Sequence, residues 1–259
     1  MADIQELIKL TNEGNLEAQC ELAREYYYHF EPGMSKDDVK KGAKKGFDLW
    51  KDAAEKGYTK AYAPLAFCYY NGSGIEKDYK KAVEYFNKSI EAKVDNSSII
   101  LHLGICYFEG LGIDVDYDKA YRCFTQVAKD EDMQIQGKAQ LYIGKCYYDG
   151  KGVKQDREEA YKWFVEANDN EIAIAESNLG DCYFYGYGVK QDQKEARWLY
   201  FRAAENEEYP EAIYKYGYCY EGGYGGEKDL DKAKGLYRLA AQKGYKPAIE
   251  KLKELGENQ

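Results

Sequence analysis

The chain repeats itself. CYYDGKGVKQD at 146–156 returns as CYFYGYGVKQD at 182–192, 36 residues on, with three changes. Read alone, the two glycines, the lysine and the aspartate suggest a phosphate loop or half of a metal site. A chemical site rarely needs a second copy of itself, whereas a structural unit does, so repetition is tested before any motif.

Five copies align without a slip. An apolar anchor (Leu65, Leu103, Ile143, Leu179, Tyr216) precedes a cysteine by three (Cys68, Cys106, Cys146, Cys182, Cys219), and a tyrosine follows that cysteine. Glycines stand seven and nine after the anchor (Gly72 and Gly74, Gly110 and Gly112, Gly150 and Gly152, Gly186 and Gly188, Gly223 and Gly225). An aspartate stands thirteen after it (Asp78, Asp116, Asp156, Asp192, Asp229) and an alanine seventeen (Ala82, Ala120, Ala160, Ala196, Ala233). Successive anchors lie 38, 40, 36 and 37 apart, so length varies only between units. A surface loop absorbs such variation, and KDEDMQIQG at 129–137 reads as the longest one.

Each unit parses as two helices. Apolar or small residues four before the anchor, the anchor, and the tyrosine four after it form one helical stripe. The residue after the anchor is Ala66, Gly104, Gly144, Gly180 or Gly217, small enough for a second helix to come close. Gly-x-Gly reads as a helix stop and the aspartate as the N-cap of the second helix. That helix carries an aromatic four after the alanine (Phe86, Phe124, Phe164, Tyr200, Tyr237). The cysteine is then a small apolar filler.

An irregular unit precedes these five, with Leu22, Ala23 and Tyr26 matching the first helix and FDLWKDAAEKG at 47–57 the second. It holds seven extra residues, placed in HFEPGMSKDDVKKGAK. PAIEKLKELG at 247–256 opens on proline and reads as a terminal cap. The expected architecture is all-α: an α/α solenoid of six antiparallel helix pairs at about 15–58, 59–95, 96–135, 136–171, 172–207 and 208–245, capped at 246–256, in one domain.

These units resemble the Sel-one-like repeat, a relative of the tetratricopeptide repeat. AQLYIGKCYYDGKGVKQDREEAYKWF and AESNLGDCYFYGYGVKQDQKEARWLY fit its pattern best, and the resemblance runs from roughly residue 15 to 255. It implies helix pairs stacked in a right-handed superhelix, a concave groove that binds other proteins, and no shared catalytic residue. Some secreted relatives bridge the two helices of each repeat with a cysteine pair. This chain has one thiol per first helix, plus Cys123 in a second helix, so nothing particular to those relatives carries over.

At about 100° per residue, positions two before, two after and five after the anchor lie opposite the core stripe, where a lone amphipathic helix is polar. Here plus five reads Tyr27, Tyr70, Phe108, Tyr148, Phe184 and then Glu221. Such a ladder has two readings. The rings pack between neighbouring units, or their edges line the groove and hold an extended or helical peptide. The groove candidates are Tyr27, Phe67, Tyr70, Phe108, Lys145, Tyr148, Asp181, Phe184 and Tyr218, with Lys145, Asp181, Arg24 and Glu109 setting register.

The net charge of −9 lacks a basic block and argues against nucleic acid and anionic membrane. The cluster Lys40, Lys41, Lys44, Lys45 reads as a solvated helix face. Neither a secretory leader nor an apolar run of about 18 residues appears, so a cytoplasmic protein with reduced thiols is expected. His29 and His102 form no ligand cluster, and His102, beside Leu103, reads as structural. Glycines 144 and 150 with Lys151 have the wrong spacing for a phosphate loop. No cofactor, no metal and no catalytic residue is expected. The function read here is a non-enzymatic scaffold or adaptor for another protein or peptide; the alternative is a regulatory or inhibitory subunit clamping one folded partner.

Overall fold

The computed structural model describes residues 3–28, 33–94, 96–206 and 209–257, and among them fourteen α-helices and one 3-10 turn at Thr59–Ala61. The chain divides into two compact units, Met1–Cys123 and Phe124–Gln259. The first begins with α1 (Ile4–Asn12) and continues through α2 (Leu16–Tyr28), α3 (Lys36–Glu55), α4 (Tyr62–Asn71), α5 (Tyr79–Glu91) and α6 (Ser97–Glu109). Helix α7 (Tyr117–Val127) spans the boundary. The second continues with α8 (Met133–Asp149), α9 (Arg157–Asp169), α10 (Ala173–Tyr185), α11 (Gln193–Glu205), α12 (Pro210–Gly222), α13 (Leu230–Gln242) and α14 (Lys246–Glu254). Within each unit every helix packs on its neighbours in sequence, so the architecture is an α/α solenoid.

Local chemistry sets each element. The first glycine of every Gly-x-Gly caps a helix with φ between 70° and 75°, and its N–H donates to the cysteine carbonyl four residues back. Such backbone angles cost a β-carbon-bearing residue about 1 kcal/mol or more. The aspartate opens the next helix: Asp78, Asp116, Asp156, Asp192 and Asp229 each accept from an N–H of its first turn. Each also donates its own N–H to the carbonyl of the repeat tyrosine nine residues earlier, closing the loop.

The second glycine does something other than stop a helix. A Cβ on Gly74 would lie 2.4 Å from the Ala43 carbonyl oxygen, on Gly112 2.3 Å from Tyr79, on Gly188 2.8 Å from Arg157 and on Gly225 2.0 Å from Gln193. Each of these four loops therefore rests its backbone on the second helix of the repeat before it.

The core follows the aligned columns. The recurring cysteines and alanines are fully buried, as are Phe86, Phe124, Phe164 and Tyr237, with Trp50 and Tyr200 nearly so. Burying one such ring contributes about 1.5–3 kcal/mol. The small residue after the anchor receives that ring: a Cβ on Gly144 or Gly180 would lie 2.5 Å from Phe164 or Tyr200. All seven thiols are unbridged. Lys40, Lys41, Lys44 and Lys45 are exposed, and Lys44 pairs with Asp48.

Three placements refine or correct the sequence reading. Helix α1 lies outside the repeat columns; it buries Leu7 against Ala18 and Leu22 of α2 and caps the first pair. The stretch 129–137 is not a loop throughout, because Asp132 accepts from the Gln134 and Ile135 N–H groups and starts α8 at Met133. The seven extra residues of the first repeat lengthen α3, which has 20 residues against 13 in α5, α9, α11 and α13. Ser35 takes the cap position, thirteen after Leu22, and accepts from the Asp38 N–H. His29 lies outside the described residues.

Candidate functional site

The candidate residues fall into two groups, one in each compact unit. In the first, Tyr27 is half-buried with its ring 5.1 Å from Trp50. Phe67 meets Phe86 edge-on at 5.2 Å and His102 at 5.0 Å. Tyr70 lies 5.3 Å from Tyr79 and 5.1 Å from His102, and burial pushes its hydroxyl up to about 12. Phe108 is buried at 6% exposure, edge-on to Tyr117. His102 donates its Nδ1–H to the Ser98 carbonyl at 2.7 Å and serves as a spacer between rings. Beside this stack opens a cavity of about 490 Å³ whose walls include Arg24, Tyr28, Trp50, Tyr58 and Phe67.

In the second unit Lys145 sits over the Tyr142 ring at 5.1 Å. Tyr148 is half-buried, 6.2 Å from Phe164 and 5.8 Å from Tyr187. Phe184 is buried at 8% exposure, hemmed by Tyr185, Tyr200, Tyr218 and Tyr224. Tyr218 stays 36% exposed and Tyr185 54%.

Asp181 anchors the polar part. Its Oδ1 accepts from the Tyr200 hydroxyl at 2.7 Å and its Oδ2 from the Lys215 ammonium at 2.7 Å. Lys215 also reaches Glu211 at 2.8 Å. Burial disfavours the Lys215 charge, but the Asp181 and Glu211 carboxylates outweigh it and hold that ammonium well above its ordinary range. Burial first, then the Asp181 charge, drives the Tyr200 hydroxyl far up. A cavity of about 240 Å³ opens over this pair, lined also by Tyr185, Tyr214, Tyr218 and Tyr245.

Of the groove candidates read from the sequence, Asp181, Phe184 and Tyr218 line this cavity, together with Tyr185, Tyr214, Lys215 and Tyr245, which were not among the candidates. Tyr214 was legible, standing two before its anchor on the outward face. Lys215 and Tyr185 lie one step from the columns considered, and Tyr245 belongs to the turn before α14.

The arrangement offers ring faces, phenols and a neutralised ion pair. Burial lifts the thiols Cys68, Cys106, Cys146, Cys182 and Cys219 to about 12, well away from nucleophilic thiolate. Among the described residues no helix is long and apolar enough to cross a membrane.

Comparison with known proteins agrees with the repeat count. The Sel1 repeat model matches six segments, 16–58, 59–94, 100–132, 137–170, 173–207 and 210–245. Among solved structures, the Sel1 repeat protein from Oxalobacter formigenes is 26% identical with a TM-score of 0.67, over 87% of this chain and 85% of that one. A protective antigen present in uropathogenic Escherichia coli strains, displaying an SLR fold, is 25% identical with a TM-score of 0.54. The match covers 96% of this chain and 58% of the antigen, so the chain spans little more than half of that protein. No curated protein matches the chain.

Proposed function

The chain belongs to the Sel1 repeat family, and from that premise we propose that it is a non-enzymatic scaffold or adaptor holding a peptide or protein segment against the first helices of its pairs. The observation that carries this reading is the partial exposure of Tyr185 and Tyr218 around the Asp181–Lys215 pair. Large rings left open to water beside a neutralised polar floor are what a partner's side chains cover with gain. The residues proposed to take part are Tyr27, Phe67, Tyr70, Lys145, Tyr148, Asp181 and Tyr218, with Phe108 and Phe184 supporting them from beneath. Seven unbridged thiols suit a reducing compartment such as the cytoplasm.

The test is affinity capture from native lysate with the intact chain and with Tyr185→Ala/Tyr218→Ala. Loss of the captured protein, with a melting temperature within a few degrees, is expected. Undiminished capture by the double variant refutes the groove reading.

A second reading, a subunit that clamps one folded partner, draws on α11. There Trp198 and Phe201 are 47% and 39% exposed, on the side away from the buried Ala196, Tyr200 and Ala203. Trp198→Ala/Phe201→Ala then abolishes capture while Tyr185→Ala/Tyr218→Ala does not. Limited proteolysis of the partner destroys binding in that case and spares it where a short segment suffices.

A further inference from the structure

The cavity between the fifth and sixth repeats is specific about what it lacks. At about 240 Å³ it is smaller than the roughly 300–1,000 Å³ of small-molecule pockets, and it has room for side chains. Its charges are already spent on each other. Both Asp181 oxygens are occupied, by Tyr200 and Lys215, and Lys215 reaches Glu211 and Ser177 as well. Lys145 also acts on Glu211. Two carboxylates therefore face two ammonium groups, a neutral spot on a chain of net charge −9. A charged visitor gains little Coulomb energy there.

Unpartnered hydroxyls line the cavity. The hydroxyls of Tyr185, Tyr214 and Tyr245 have no hydrogen-bond partner among the described residues, while the strongest acceptor, Asp181, already accepts from Tyr200 and Lys215. Burial pushes each of these phenols up from its ordinary range, so all three keep their protons and can donate. A segment entering the cavity finds three free donors for its carbonyls, whereas its own N–H groups must compete for Asp181 with Tyr200 and Lys215. Each N–H left dry costs about 1–3 kcal/mol.

Resting on the groove reading above, we infer that this cavity is the subsite for an uncharged, proline-containing extended segment of the partner. Prolyl rings pack among Tyr185, Tyr214, Tyr218 and Tyr245, and the phenols donate to the carbonyls between them. Proline has no N–H to strand. Its extended helix is preformed and its carbonyls point outward, so binding orders little chain.

A displayed library of random 12-residue peptides, selected on the intact chain and counter-screened on Tyr185→Ala, separates this inference from the reading beneath it. Enriched peptides that depend on Tyr185 and carry spaced prolines are expected. Peptides that depend on Tyr185 but are rich in Lys and Arg, or are proline-free and amphipathic, overturn the inference and leave the groove reading standing. A selection that yields no peptide dependent on Tyr185 overturns both. With a labelled (Pro-Pro-Ala)4 probe, Tyr214→Phe/Tyr245→Phe keeps the rings and removes two donors. Anisotropy should report about tenfold weaker binding, roughly what two hydrogen bonds of modest strength contribute; unchanged affinity refutes the donor role.

Discussion

Repeats four and five occupy equivalent places and solve one problem differently. Phe164 and Tyr200 fill the same slot on the second helix, both buried, both lying against a glycine on the first. One extra oxygen separates them. A buried hydroxyl without a partner costs about 1–3 kcal/mol, and repeat five supplies Asp181 at the position where repeat four has Lys145. The carboxylate in turn draws in Lys215 from repeat six. Repeat six makes the same change by another route: Tyr237 donates to Glu221 at 2.6 Å, and Lys251 pairs with Glu221. A single atom added to a buried column thus recruits a carboxylate and an ammonium to the face where the open rings stand.

Variants can break or sharpen this contrast. Largest is ring removal: Phe164→Ala should cost about 3–5 kcal/mol in denaturant unfolding. Tyr200→Ala should cost at least as much, because Asp181 loses a donor; a clearly smaller loss would mean that the tyrosine is not core. Next, Asp181→Ala strands the Tyr200 hydroxyl and leaves the Lys215 ammonium with Glu211 as its one carboxylate partner. Since both charged side chains keep some solvent contact, about 2–4 kcal/mol is expected rather than a fully buried pair's maximum. Third, Phe164→Tyr puts a hydroxyl where no Asp181 counterpart stands and should lose about 1–3 kcal/mol. Adding Lys145→Asp should recover part of it, read as a coupling above about 0.5 kcal/mol in a double-mutant cycle; strict additivity would dissolve the comparison.

Smallest is an effect that the two repeats share. Cys146 and Cys182 ionise near 9.0 when unfolded and near about 12 in the fold, because burial disfavours thiolate. A folded pKa raised this way leaves stability whole below pH 9 and erodes it above, where the unfolded chain releases protons first. The melting temperature should be flat from pH 6 to 8 and fall beyond 9. In Cys146→Ala/Cys182→Ala the fall should be shallower; an identical slope would assign it to the tyrosines and the remaining buried thiols.

The repeats were legible because each column carries a backbone duty: glycine for a left-handed cap, aspartate for an N-cap, alanine for contact. Helix α1 escaped because it belongs to no column, although Asp3 before Ile4, Leu7 and Ile8 is a cap followed by helical spacing. Residues 133–137 escaped because Met133, Gln134 and Gln136 look polar or neutral where α8 simply runs one turn longer. The candidate site was legible only in part. Helical angles place Phe108 and Phe184 outward on an isolated helix, but Tyr117 packs edge-on to the first, and Tyr185, Tyr200, Tyr218 and Tyr224 close over the second. Lys215 stood outside the chosen angles, and only the pairing across helices reveals it.

Within each compact unit the second glycines Gly74, Gly112, Gly188 and Gly225 give the helix pairs a direction, like roof tiles laid from one eave. Each tile overlaps the one before it, so Gly225 clasps the opening turn of α11, while among the described residues no later loop of this kind clasps the start of α13. Trimming from the carboxyl end should therefore loosen the helix left behind, a loss that trimming from the amino end does not inflict.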